Sequence, residues 1–578
     1  MNIRNINIFR LFFLLLPLPF TTIAQPNARQ EAERQLNDRA EVYFSMILNE
    51  KSSLEKLSML LSIGRLSGDT VYAFANRDQF SKFLELSMDY RVLTPPSLEH
   101  TVKMSRNLKD VTEWDSYPTY DMYITIMQSY ASSYPQICRL EKIGESIDGR
   151  DLLFVKISDN VNYEESEPEF MYSSSMHGNE LTGYVLLLRL IDYLLTGYGN
   201  DAIVTGLINN VQIWINPLAN PDGTYAGGNN TVNGSTRFNS NQVDLNRNFP
   251  DPQAGLHPDG NDWQPENLAM MIFMSEHHFV LAANLHTGSE VLNYPWDTWQ
   301  QVHADNDWYY YICRQYADTV HHYMPVSLPG YLTALNNGIT NGYAWYPLHG
   351  GRQDYTNYFL HGREVTFELS YEYMPTPEML PSYWDANCHS LLNYIRQCTF
   401  GIRGEVTDSV NGNPLNARIE ILNHDSVHSE VYCISSGGAY FRPVFQGDYE
   451  LLFSAPGYFS KILHNLQVFN DNSVSLNVIL VPQAYNIQSI NNDINTQVHP
   501  NPFTTNTNIC FYLKVKTDVR IRILSFTGRI IFEEIIPAGY GRNEIHFDGS
   551  VLVSGIYYYH LTAEGIDRIG KLVKIKTD

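Results

Sequence analysis

Short apolar runs alternate with segments of helical period through the middle of the chain. Residues 169–175, 211–215, 280–285 and 363–369 are brief and rich in apolar side chains, so each reads as a buried strand. Residues 152–157 form another, after the turn Asp148-Gly149-Arg150, while 123–134 and 181–195 repeat their apolar positions at helical spacing. Strand and helix keep alternating from about 114 to 400. That order predicts an α/β domain with a mostly parallel mixed sheet and helices on both faces. Before it, 25–50 is charged with helical spacing. A strand (69–75), a helix (77–87) and a strand (90–93) follow, and the break at Thr94-Pro95-Pro96-Ser97 closes an N-terminal α+β unit, 25–113. Near Gly401 the period changes to short alternating strands such as 404–408, 417–421 and 449–453. Two small all-β sandwiches are expected, 401–482 and 497–578, joined by the polar linker 483–496.

The first 24 residues differ from everything after them. Arg4 and Arg10 precede the apolar stretch 11–20, and Thr22-Ile23-Ala24 offers a small-residue cleavage site, the pattern of a signal peptide. The apolar stretch is too short to span a bilayer, and no other segment is long and apolar enough to cross one. An exported chain is expected, secreted or held at the cell surface. A formal net charge of -23 argues against nucleic-acid partners and favours cationic ones. The six cysteines are scattered without a Cys-x-x-Cys pair, so they do not read as a metal cluster, and their pairing is not deducible.

The chemistry gathers at strand ends. His177 and Glu180 lie three apart where the strand 169–175 gives way to a helix, with Gly178 permitting a tight turn. An imidazole and a carboxylate at such a corner are half of a zinc site, and a catalytic zinc takes a third protein ligand and keeps one position open. His286 supplies that ligand at the end of strand 280–285. Glu276, His277 and His278, just upstream, read as a solvated helix end. Glu368 is a charge in the apolar second half of strand 363–369. It is either an edge-strand residue facing water or a general base for an activated water.

With Asp244-Leu245-Asn246-Arg247-Asn248-Phe249-Pro250, these residues make the chain resemble the zinc metallocarboxypeptidases, nearer the regulatory branch of carboxypeptidases D, E, M and N. The resemblance runs from about Trp114 to Thr399. Asn179 before Glu180, where digestive members have Arg, also points to the regulatory branch. The resemblance implies one zinc per chain on His177, Glu180 and His286, with Glu368 as base and Arg237 facing the oxyanion. It implies that Asn246 and Arg247 take the terminal carboxylate of a peptide or protein substrate and that Tyr346, before Gly350-Gly351, is mobile. It also implies a pocket for C-terminal Lys or Arg, with Asp297 at its wall helped by the amide oxygen of Gln353. Arg352 is a complication, since it could neutralise Asp297.

The flanking regions carry resemblances of their own. The N-terminal unit resembles the activation segment of digestive carboxypeptidases, with an ordinary accessory domain as the alternative. Gly447-Asp448-Tyr449 and Ala455-Pro456-Gly457-Tyr458 resemble a transthyretin-like domain. Val498-His499-Pro500-Asn501-Pro502-Phe503 and Ser554-Gly555-Ile556-Tyr557-Tyr558 resemble the C-terminal sorting domain of type IX secretion, which implies outer-membrane secretion machinery as a partner and removal of the domain after transit. A stem-peptide amidase of the same fold and an inactive binding protein are the competing readings. The complete set of ligands, base and Arg247 weighs against the second.

Overall fold

The computed structural model describes residues 28–576, except 49, 51–52, 435–436, 484–495, 514, 526–528 and 564–565. The expected signal peptide, and all but the edges of the expected linker, lie outside the described residues.

The expected α/β layer is present as an eight-stranded mixed sheet. Its order is Ile339–Asn341, Ser289–Tyr294, Glu364–Ser370, Phe279–His286, Glu169–Ser174, Gln212–Asn216, Asp151–Ile157 and Cys138–Glu145. The four central strands, Glu364–Ser370 to Gln212–Asn216, run parallel and are flanked on both sides by an antiparallel pairing, while the edge strand Ile339–Asn341 pairs parallel to Ser289–Tyr294. The central strands are buried on both faces, which is why they read as near-continuous apolar runs. Phe170, Tyr172, Leu281, Leu285, Val365 and Phe367 face one core, under helices Tyr120–Ser133, Thr182–Gly197, Asn306–Tyr323 and Leu380–Arg396. Met171, Trp214 and Ala282 face the other core, under helices Pro265–Glu276 and Arg352–Phe359. There Phe154 stacks on Phe273 with ring centroids 4.3 Å apart. Such a pair contributes about 0.5–1.5 kcal/mol beyond its area burial.

The N-terminal unit departs from its helical reading. Its helix, Ala28–Arg39, ends at Ala40, whose φ is 59°, and Glu41–Ile47 is a strand. The run Val42-Tyr43-Phe44 is β-branched and aromatic, which favours a pleated surface over a helix. With Ser62–Ser67, Thr70–Asn76 and Tyr90–Val92 it forms a four-stranded antiparallel sheet.

Residues 401–480 fold into two packed four-stranded sheets round Ile402, Ile419, Leu451 and Phe453. Residues 497–574 form a three-stranded and a four-stranded sheet round Ile509, Ile521, Leu561 and Leu572. The first sandwich is clasped to the α/β domain through Asp305, which is wholly buried. Arg363 and Arg442 donate to its carboxylate, and His424 Nε2 lies 2.8 Å from it. Burial alone would raise the Asp305 carboxyl; the two arginines and His424 outweigh it and hold it well below the usual range. All six cysteines are free thiols, five of them buried. Among the described residues no helix is long and apolar enough to cross a membrane.

Candidate metal centre and the cleft around it

Strand Glu169–Ser174 stops at Ser175, whose φ is 55°, and the chain turns before helix Thr182–Gly197. A Cβ on Gly178 would lie 2.2 Å from the carbonyl carbon of Gly223. Gly178 is needed for this close approach, because Pro221–Thr224 crosses directly behind it. Thr224 Oγ1 donates to the Gly178 carbonyl at 2.8 Å, and Asn220 Nδ2 to that of Met176 at 3.1 Å. The Asn-Pro-Asp-Gly loop therefore braces the turn that carries His177 and Glu180.

His286 enters from the end of the neighbouring parallel strand. Its Nδ1 lies 2.8 Å from Glu180 Oε2 and 3.1 Å from His177 Nδ1, and His177 Nδ1 lies 2.9 Å from Glu180 Oε1. All three residues are buried. His177 Nε2 faces Asp244 Oδ1 at 2.9 Å. Donation to that carboxylate commits the proton to Nε2 and turns a bare lone pair on Nδ1 inward. Burial lowers the His286 imidazole to about 4, which keeps it neutral at neutral pH. Two imidazoles and a carboxylate aimed at one point fit a zinc ion with a position left for substrate or water. Asp244 is the residue that sequence reading passed over. It opens the Asp-x-Asn-Arg-Asn motif, and only the fold brings its carboxylate to His177.

Glu368 is set by strand register. Val365, Phe367 and Leu369 enter the helix-covered core, so the alternate positions point the other way, and Glu368 lies level with His286 on the adjoining strand. Burial, and then the charge of Glu180, raise the Glu368 carboxyl well above the usual range. Its Oε2 has no partner among the described residues. Arg237, only 3% exposed, donates from Nη1 to Glu180 Oε1 at 2.6 Å. Arg247 donates from Nη1 to the Asn246 carbonyl at 3.0 Å, while its Nε and Nη2 are unpartnered among the described residues. Asn246 Oδ1 accepts from the Arg352 backbone at 3.0 Å. Tyr346 packs against the apolar cluster of the N-terminal unit.

Asp297 is buried and accepts from Asn293 Nδ2 at 2.9 Å. Its backbone N–H donates to Asp354, a residue at the end of the 350–354 stretch to which sequence reading assigned no role. Arg352 does not reach Asp297; it pairs with Glu364 at 3.0 Å, both wholly buried. Gln353 differs from expectation. Its Oε1 accepts from the Thr366 backbone at 2.8 Å, which leaves the amide nitrogen, a donor, as its free end. The rejected His277 lies 2.7 Å from Glu169, and the His278 backbone N–H donates to the same carboxylate, away from the centre.

The N-terminal unit lies over this cleft. Ser62 donates to Asp244 and accepts from Arg237 Nε, and the Ile63 carbonyl accepts from Arg237 Nη2 at 3.4 Å. Glu41 accepts from the Arg237 backbone at 2.9 Å. A Cβ on Gly64 would lie 2.2 Å from the Tyr373 hydroxyl, so the strand enters as closely as a chain can. Nothing in the sequence marks Ser62 or Glu41, because neither belongs to a motif.

Residues 123–390 match the zinc carboxypeptidase family profile, and residues 497–576 match the secretion system C-terminal sorting domain. The chain is 37% identical to human carboxypeptidase D over 377 residues, 62% of this chain and 26% of that protein. It thus spans about a quarter of the length of that relative. It is 36% identical to mouse carboxypeptidase M, over 57% of this chain and 76% of that protein. It is 31% identical to the human carboxypeptidase N catalytic chain, over 66% and 86% respectively. Among solved structures, carboxypeptidase A from Helicoverpa armigera aligns over 61% of this chain and 96% of that chain, at 18% identity and a TM-score of 0.47.

Proposed function

Because the chain belongs to the zinc carboxypeptidase family, we propose that it removes the C-terminal residue of peptides, with preference for Lys or Arg. The observation that carries this reading is the convergence of His177, Glu180 and His286 beside Glu368 and Arg237. Zinc on the three ligands would supply Lewis acidity to a water and to the scissile carbonyl. Arg247, with two free donors, pairs with the terminal carboxylate and fixes which bond is presented. Glu368 accepts the proton of the attacking water and hands it to the amine as the C–N bond breaks. The Arg237 guanidinium faces the negative charge that grows on the carbonyl oxygen. Asp297 pairs with the cationic side chain of the departing residue.

In this reading the N-terminal unit is a cover that must leave before peptides enter. The Ile63 carbonyl meets Arg237 as a substrate carbonyl would, and Ser62 occupies Asp244. The test compares the zinc-loaded chain before and after cleavage between 94 and 113, on peptides ending in Lys, Arg, Leu and Phe. Zinc-dependent release of single C-terminal residues is expected, rising sharply once 28–93 is gone. No exopeptidase activity in the cleaved, zinc-loaded protein would refute the function. Equal activity before and after cleavage would refute the cover alone.

The sorting-domain match supports export to the medium or cell surface through type IX machinery. Mass spectrometry of protein from the native culture medium is expected to find neither 1–24 nor 497–578, since such segments act as addresses. A secreted chain intact through Asp578 contradicts this.

A further inference from the structure

Outside the cleft, three more groups of potential metal ligands occur among the described residues. Asp305, His424 and Asp425 are already saturated by Arg363 and Arg442. Asp159, Glu165 and Glu167 are carboxylates alone. The group His361, His428 and Glu430 is different in kind, since it joins two imidazoles to one carboxylate, with ligand atoms within 4.8 Å of one another.

These residues come from two domains. His361 lies between helix Arg352–Phe359 and strand Glu364–Ser370, the strand that bears Glu368; His428 and Glu430 precede strand Val431–Tyr432 of the first β-sandwich. The His428 carbonyl accepts from His361 Nδ1 at 3.0 Å. That bond assigns the proton to Nδ1 and leaves the Nε2 lone pair free, as in histidines that bind metal. The His428 ring is held in place. Tyr358 stacks on it at 4.3 Å, and the His361 ring lies nearly parallel to it, at 19° and 5.6 Å. Tyr432 packs edge-on against His361 at 4.8 Å. Both histidines have left-handed backbones, φ 55° and 65°, which non-glycine residues hold only where the surroundings impose them. Glu430 Oε1 lies 3.3 Å from Arg418 Nε, but Arg418 also pairs with Glu420, so the carboxylate is not fully neutralised. A cavity of about 320 Å³, lined in part by His361, Arg363 and Tyr432, opens beside the group and offers an entry path.

We infer that His361, His428 and Glu430 form a second divalent-metal site, of the zinc class, which pins the β-sandwich to the loop leading into the strand of Glu368. Two imidazoles and one carboxylate select a borderline ion over calcium or magnesium, with water completing the coordination.

The test counts metal in the full chain after dialysis against a slight excess of Zn²⁺, together with Tm. Two equivalents are expected in the wild type. His428→Ala and the more conservative Glu430→Gln should each hold one, with peptide hydrolysis, measured after cleavage between 94 and 113, unchanged. Added Zn²⁺ should raise Tm less in these variants than in the wild type. His286→Ala should also hold one equivalent but be inactive. A wild type with a single equivalent that His286→Ala abolishes overturns the second site and leaves the proposed function standing. A single equivalent lost in His428→Ala but kept in His286→Ala does the reverse.

Discussion

Replacing Glu368 by Gln is expected to lower kcat by about 10²–10⁴-fold, the range over which a positioned base contributes to proton transfer. The substitution keeps the shape and the hydrogen-bonding reach of the side chain but removes the proton acceptor. It leaves His177, Glu180 and His286 untouched, so bound zinc should remain at the wild-type level. KM should change little, because Arg247 and the side-chain pocket, which hold the substrate in the proposed mechanism, are unaltered. The raised carboxyl pKa of Glu368 has the sign a base needs, since a stronger base takes a proton from water more readily. The measurement is kcat on a peptide ending in Arg, with the cover removed and zinc counted in the same sample. A folded, zinc-loaded variant with near-normal kcat would show that another group moves the proton.

The second large effect is expected at Asp297. Asp297→Ala should lower kcat/KM for peptides ending in Lys or Arg by about 10–100-fold, the value of one hydrogen bond to a charged group. Peptides ending in Leu or Phe should be cleaved as well as before or better, because no buried charge then faces an apolar side chain. Burial raises the Asp297 carboxyl from its ordinary 3.8 to about 7, against the opposing hydrogen bond from Asn293. Only the ionised form pairs with a cation, and that form predominates above the pKa. The preference for basic residues should therefore grow as pH rises through about 7 and fade below it, in kcat/KM of the free enzyme. The ratio of Arg to Leu kcat/KM between pH 6 and 8 measures it. A ratio that Asp297→Ala leaves unchanged would place the pocket elsewhere. Gln353 has one acceptor lone pair fewer to offer, since its oxygen already accepts from the Thr366 backbone.

Much of the α/β domain was legible because its central strands are buried on both faces and must be apolar throughout. Against such runs His286 and Glu368 stand out as polar residues at strand ends, and His177 and Glu180 follow another strand. Segments half-exposed or folded against partners distant in sequence were harder. Cys138–Glu145 is a sheet edge with a mixed burial pattern, and Glu41–Ile47 followed a helix without a proline or glycine to separate them.

The sequence alone therefore determined the central elements of the α/β domain, their order and the candidate metal donors, since these depend on local period and on residue chemistry. Only the tertiary structure decided what those donors meet. Sheet order brings His286 beside a turn 106 residues earlier, and Asp244 to His177 across another 67. It spent the Gln353 oxygen on a backbone N–H, turned Arg352 to Glu364, and laid Ser62 and Ile63 over Arg237. Contacts of this kind arise from packing between segments that share no period or motif, so each residue's own neighbours in the chain carry no trace of them.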